Sequence, residues 1–137
     1  MRKRISILFI CALTTCMMGC ANTKLAEEFN KEEVVKEAEA IIDMVNEGET
    51  EEVWDEKFSA KMQSALSKED WLAAVDQIMK DAGAFKSYEK EAVTGTEDPD
   101  TGEKFATAVI VADYERGKNQ YTITFNKSMQ LTGFFVK

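Results

Sequence analysis

Apolar residues change their spacing twice along this chain, and each change marks a different structural regime. From Ile5 to Met18 they form a nearly unbroken run, interrupted by Ser6, Thr14 and Thr15. From Val34 to Ala82 they recur every three or four residues, the period of a helix with one buried face. From Phe85 onward they alternate, the period of a strand lying between a core and water. A leader, a run of helices and a run of strands follow one another. Helices before a meander of strands predict an α+β domain: N-terminal helices packed on a strongly bent antiparallel sheet of about four strands.

The first helix follows Asn30. Asn30 with Glu33 three residues on is a capping-box pattern. Val34, Ala38, Ile41 and Val45 form the buried stripe, and Val35 and Ile42 widen it. Glu32, Glu33, Glu39 and Asp43 lie off the stripe, and Gly48 ends the helix. Thr50 is the next cap, with Glu51 and Glu52 in the first turn, where the helix dipole favours acids. Val53, Trp54 and Phe58 carry the apolar face. Ser59 opens a short turn that places Met62 and Leu66 together. Ser67 caps a further helix with Asp70 at its third position. Trp71, Leu72, Val75, Ile78, Met79 and Ala82 are its stripe, and Gly83 its C-terminal cap.

Phe85 to about Gly95 reads as a strand, and Thr96 to Glu103, with Pro99 and Gly102, as a hairpin loop. Lys104 to Glu115 is the clearest strand. Phe105, Thr107, Val109 and Val111 share one face. Ala106, Ala108, Ile110, Ala112 and Tyr114 share the other, which is small enough for helices to approach closely. A turn around Gly117 leads to Tyr121, Ile123 and Phe125, alternating with Thr122 and Thr124. A second turn at Asn126–Ser128 leads to the last strand, Met129 to Lys137. Gly133 inside that strand predicts a bulge or bend.

The leader has its own logic. Arg2, Lys3 and Arg4 precede the apolar run, and Gly19 stands directly before Cys20. A charged region, an apolar region and a small residue before cysteine are the layout of a lipoprotein signal peptide. The run of about 14 residues is short of the ~20 that cross a bilayer as a helix. A rival cleavage site before Cys16 puts Thr15 where a smaller residue is normal. The expected organisation is a signal peptide over 1–19, cut between Gly19 and Cys20, with a diacylglycerol and acyl lipid on Cys20. A lipid attachment and tether follows over 20–29, then a single domain over 30–137. A flexible tether of that length reaches about 15–20 Å; the alternative is that it extends the first helix.

Composition sharpens this picture. Cys11 and Cys16 belong to the leader, so the exported domain has no disulfide to staple it. Loss of Arg2, Lys3 and Arg4, with no acid among the first nineteen residues, takes the net charge from −8 to −11. No basic patch is present to displace counterions, so nucleic acid is excluded as a partner. Between Leu25 and Lys57, 13 acids face three lysines. That segment reads as a solvated helix face or as an acidic docking surface.

Three stretches together resemble a known group. They are Ala38-x-x-Ile41-Ile42-x-x-Val45-x-x-Gly48 with Trp54 and Phe58, Leu66 to Trp71 leading to Ala82-Gly83-Ala84-Phe85, and Tyr121 to Phe125 with the closing Gly133-Phe134-Phe135. In order and spacing these resemble bacterial lipoprotein domains of unknown function with a nuclear-transport-factor-two-like fold. That fold is also called cystatin-like or the ketosteroid-isomerase cone. The resemblance spans about 30–137. It implies a bent sheet wrapped around the first helix, with a pocket at the open end of the cone. It carries over no catalytic residue.

The chemistry candidates are few. The chain has no histidine, so a nucleophilic triad lacks its usual base. The acids of Glu97 to Glu103 lack calcium-loop spacing and are broken by Pro99, so no metal and no cofactor other than the lipid is expected. Asp113 has two readings: an acid working with Tyr114, Tyr88 and Tyr121, or a carboxylate at a hairpin end near Arg116. Trp54, Trp71, Tyr88 and Tyr121 also have two readings, as core aromatics or as the lining of a ligand pocket. The expected role is a non-enzymatic binding module on the outer face of the cell membrane, for a partner protein or a small apolar ligand. The rival readings are a cone-fold enzyme doing isomerase- or dehydratase-like acid/base chemistry, and a homodimeric structural module.

Overall fold

The computed structural model describes residues 24–137; the leader, Gly19 and Cys20 lie outside the described residues. Four helices come first: α1 (Lys31–Asn46), α2 (Thr50–Lys57), α3 (Ala60–Ala65) and α4 (Lys68–Ala82). Four strands follow: β1 (Phe85–Glu97), β2 (Lys104–Tyr114), β3 (Gly117–Phe125) and β4 (Leu131–Val136). They form one antiparallel sheet in the order β1-β2-β3-β4. The sheet curls without closing, since β1 and β4 remain its two edges. The fold is α+β with a cone-like sheet, as its hydrophobic pattern predicts.

Caps and stripes explain the helices. Glu33 N–H donates to Asn30 Oδ1 at 3.1 Å, Met62 N–H to Ser59 Oγ at 3.2 Å, and Asp70 N–H to Ser67 Oγ at 3.3 Å. Each side chain satisfies an amide that the helix itself leaves open. The cap of α2 differs from expectation. It is Glu49, without a side-chain bond, and Thr50 is the first helical residue. The Gly48 turn fixes this one-residue shift: Gly48 has φ +85°, and Glu49 N–H already bonds Met44 O at 2.8 Å.

The core lies between α1 and the inner face of the sheet. Val34, Ala38, Ile41, Ile42 and Val45 of α1 are buried against Ala106, Ala108, Ile110 and Ala112 of β2. The alanines bring the helix axis close to the sheet, which wide side chains would prevent. A chain of rings continues the core. Trp54, Phe58 and Trp71 pack together with tilted or edge-on rings, Trp71 meets Phe134 edge-on at 5.5 Å, and Phe134 meets Tyr121 at 6.0 Å.

Two irregularities in β1 bend the sheet around α1. Register shifts between Phe85 and Ser87 and between Tyr88 and Lys90 each insert one residue. Phe85 and Tyr88, three apart, therefore both face the helices, where plain alternation would separate them. At the other edge, Thr132 bulges between Leu131 and Gly133, beside the glycine expected to mark it.

The segment expected to be a free tether is docked from Lys24 onward. Phe29 is buried, and Leu25 and Ala26 pack on the core. The chain crosses β1 at Gly95, where a Cβ would collide with the Lys24 carbonyl and stand 2.9 Å from Leu25 Cα. Only glycine lets the two backbones approach this closely.

Candidate functional site

The open end of the cone lies where the C-terminal ends of α1 and α4 meet β2 and β3. Periodicity aims four polar side chains there. Asn46 stands one helical turn beyond Ile42, so it inherits the buried stripe of α1. Tyr114 ends the small apolar face of β2. Tyr121 and Asn119, two apart on β3, share the inner face.

These four form one cluster. The Tyr114 hydroxyl donates to Asn46 Oδ1 at 2.7 Å and lies 2.5 Å from the Tyr121 hydroxyl. Tyr114 has one proton, and Asn46 Oδ1 can only accept. The shared bond is therefore donated by Tyr121, and the order is Tyr121 to Tyr114 to Asn46. Met79 of α4 closes over it, with Sδ 3.9 Å from the Tyr121 oxygen. Asn46 Nδ2 and Asn119 Nδ2 are buried and complete no hydrogen bond. Burial pushes the Tyr114 phenol far up, with its bond to Tyr121 adding to the rise. Burial likewise raises Tyr121, while its hydrogen bond with Tyr114 and the nearby Asn119 amide oppose the rise. Both phenols stay neutral at any physiological pH.

Tyr88 belongs to a separate group on the flank of α1. Its hydroxyl donates to Asp43 Oδ1 at 2.5 Å and lies 3.0 Å from the Glu39 carbonyl. Burial and the bond to Asp43 push this phenol far up as well. Glu39 is raised, first by burial and then by repulsion from Glu91 and Asp43.

The structure separates residues that the sequence grouped. Asp113 alternates with Tyr114 and lies on the outer face of the sheet, 3.9 Å from Lys86 Nζ. Its expected neighbour Arg116 reaches the other way and donates to the Lys80 carbonyl at 2.8 Å, capping α4. No acid–tyrosine pair forms from Asp113. Trp54, Trp71 and Tyr121 are buried in the ring chain of the core, and Tyr88 is half-buried with its hydroxyl engaged.

Three surface cavities lie near these elements. One of about 430 Å³ lies between α3 and the outer face of the sheet, walled by Met62, Ala65, Phe105, Thr124 and Thr132. Two flank α4. The first, about 520 Å³, is lined by Val45, Asn46, Leu72 and Met79, with Glu51 and Asp76 at its rim. The second, about 220 Å³, is lined by Ile78, Ala82 and Asn119, with Asp81, Arg116, Lys118 and Lys137 around them. Asn46 and Asn119 went unnoticed in the sequence, although the stripe arithmetic that placed Ile42 and Tyr121 inward applies equally to them.

An α+β domain with a cone-like sheet and a neutral, donor-rich cluster at its mouth is the class these observations define. Residues 38–134 match the family described as "Protein of unknown function (DUF3887)", and the chain belongs to that family. It is similar to the solved NMR structure of a protein from Ruminococcus gnavus ATCC 29149. The two share 28% identity over 83% of this chain and 96% of that one, with a TM-score of 0.72. No curated protein matches the chain.

Proposed function

We propose that this protein is a lipid-anchored extracytoplasmic binding module of the nuclear-transport-factor-two-like cone superfamily, taking a small apolar ligand or a partner protein without transforming it. The observation that carries this reading is the chemistry of the cone's mouth. Asn46, Tyr114, Tyr121 and Asn119 are neutral groups in one hydrogen-bonded cluster. Proton abstraction near neutral pH needs a base tuned to that range. The phenols are shifted away from it, and Asp113 lies across the sheet. Such a cluster recognises; it does not exchange protons with a ligand.

The anchor reading rests on Arg2–Arg4, the apolar run and Gly19-Cys20. With Lys24 docked on β1, three residues would separate a lipid on Cys20 from the folded domain, a span of about 14 Å when fully extended. Glu28 pairs with Lys127 at 3.4 Å, so the turn after β3 lies beside the segment that would follow the anchor. Fractionation of cells carrying Cys20→Ala tests this: the variant should leave the membrane fraction, and unchanged association refutes the anchor.

One observation favours a second reading, a homodimer through the outer sheet face. Phe135 on the β4 edge is 71% exposed, and it continues a cross-strand row through Thr122, Val109 and Ala92. Light scattering that gives a monomer mass at tens of micromolar protein rejects it.

A further inference from the structure

The segment over 24–29 follows the anchor directly, and the fold does not leave it free. Leu25 and Ala26 pack on the core, and Phe29 is buried in it. Phe29 N–H closes a turn on the Ala26 carbonyl at 3.0 Å, and Glu28 pairs with Lys127. Lys24 shares a hollow with Gly95, Thr96 and Lys104, where glycine at 95 lets the two backbones meet. Two elements measure how far this strap lies from the cone's mouth. α1 runs from Lys31, two residues after Phe29, to Asn46 at the mouth, and its 16 residues span about 24 Å. β2 runs from Lys104, beside Lys24, to Tyr114 at the mouth, and its 11 residues span about 33 Å. The strap and the mouth are opposite ends of the domain, about 25–30 Å apart.

We propose that the docked strap is a standoff that keeps the cone's mouth turned away from the bilayer. Turning the mouth toward the bilayer lifts Lys24 about 25–30 Å above it. The chain from Cys20 to Lys24 spans about 14 Å when fully extended, half of what that orientation needs. Inversion therefore requires the strap to leave the core. With Phe29 released, the chain from Cys20 to Asn30 spans about 35 Å, and the mouth can reach the membrane. While the strap is docked, whatever the mouth binds arrives through the extracytoplasmic medium, and a lipid lying in the bilayer is out of its reach. This inference rests on the anchor reading above and adds an orientation for the domain and a source for its partner.

The test uses single introduced cysteines. Cys11 and Cys16 precede Cys20, so in the processed lipoprotein one new thiol takes a dye at one position. Ser128→Cys puts the dye on the turn after β3, at the strap's end, and Lys118→Cys puts it at the start of β3, at the mouth. The lipidated protein is purified from membranes and reconstituted into phosphatidylcholine vesicles doped with a nitroxide-headgroup lipid, a short-range quencher. The dye at 128 should be quenched several-fold more than the dye at 118. Gly95→Val should narrow that gap by undocking the strap. An insert of about twelve Gly/Ser residues after Thr23 should narrow it with the strap still docked, because it lengthens the tether alone. Equal quenching at the two positions without these changes overturns the standoff and leaves the anchor reading standing. A gap that survives both changes also overturns it. Quenching at neither position, with the protein free of the vesicles, overturns the anchor reading and the standoff together.

Discussion

Replacing Tyr114 by Phe probes the centre of the cone's mouth with the loss of one oxygen. That oxygen donates to Asn46 Oδ1 and accepts from Tyr121, in a place where Tyr114 is 2% and Tyr121 0% exposed. Its removal strands two groups at once. Met79 Sδ at 3.9 Å is a poor substitute acceptor for the Tyr121 proton. At about 1–3 kcal/mol for each buried polar group left unmatched, the loss is about 2–6 kcal/mol. Tyr121→Phe removes only the first donor in the chain and leaves an unfilled lone pair on Tyr114, so it costs about 1 kcal/mol. Urea unfolding followed by tryptophan fluorescence resolves this ordering. With a slope of about 2 kcal/mol per molar, Tyr114→Phe lowers the midpoint by about 1–3 M. The double variant loses less than the sum of the two, because they break a shared bond. Equal losses, or strict additivity, would refute the assigned direction Tyr121 to Tyr114 to Asn46. The same cluster sets an alkaline limit. Both phenols are raised in the folded state above the unfolded value of 10.0. The stability they contribute is therefore fully present below pH 10 and declines as pH rises beyond it. Tyr114→Phe flattens that decline.

Three further outcomes follow from the packing. Glu39 is raised above 4.5, so its charged form opposes folding at neutral pH. Glu39→Gln stabilises by about 0.5 kcal/mol at pH 7, the scale of a like-charge pair with Asp43 one turn on, and the gain vanishes near pH 4; a gain equal at both pH values contradicts this. Ala108→Leu forces a branched side chain between β2 and α1 and costs about 1–3 kcal/mol in thermal or urea unfolding, and a neutral result would mean α1 does not lie as close as described. Gly95→Val pushes Lys24 and Leu25 off β1, so trypsin should cut after Lys24 and Lys31 many-fold faster, with the rest of the domain intact; unchanged cleavage rejects the docking.

Much of the fold was legible because its information is local. Asn30, Ser59 and Ser67 announce helices by the amides they can satisfy, and all three caps form. The small face from Ala106 to Tyr114 declares where a helix must sit. What was not legible depends on long-range geometry. Alternation could not foresee two inserted residues in β1, so Phe85 and Tyr88 share a face against the pattern. Arg116 is drawn to the C-terminal carbonyls of α4, 36 residues away, rather than to the nearby Asp113. The docking of 24–29 depends on Gly95 meeting a segment some seventy residues earlier. Asn46 and Asn119 were the informative miss. Their positions are implied by the stripes of α1 and β3, but an asparagine beside a helix end or a hairpin turn fits a solvated cap or turn equally well.

Cys20 is the residue on which the proposed anchoring depends most directly. Intact-mass analysis of the protein purified from bacterial membranes should give a chain that begins at Cys20 and carries a diacylglycerol thioether. A chain retaining Met1, an N-terminus at another residue, or an unmodified Cys20 thiol would contradict it.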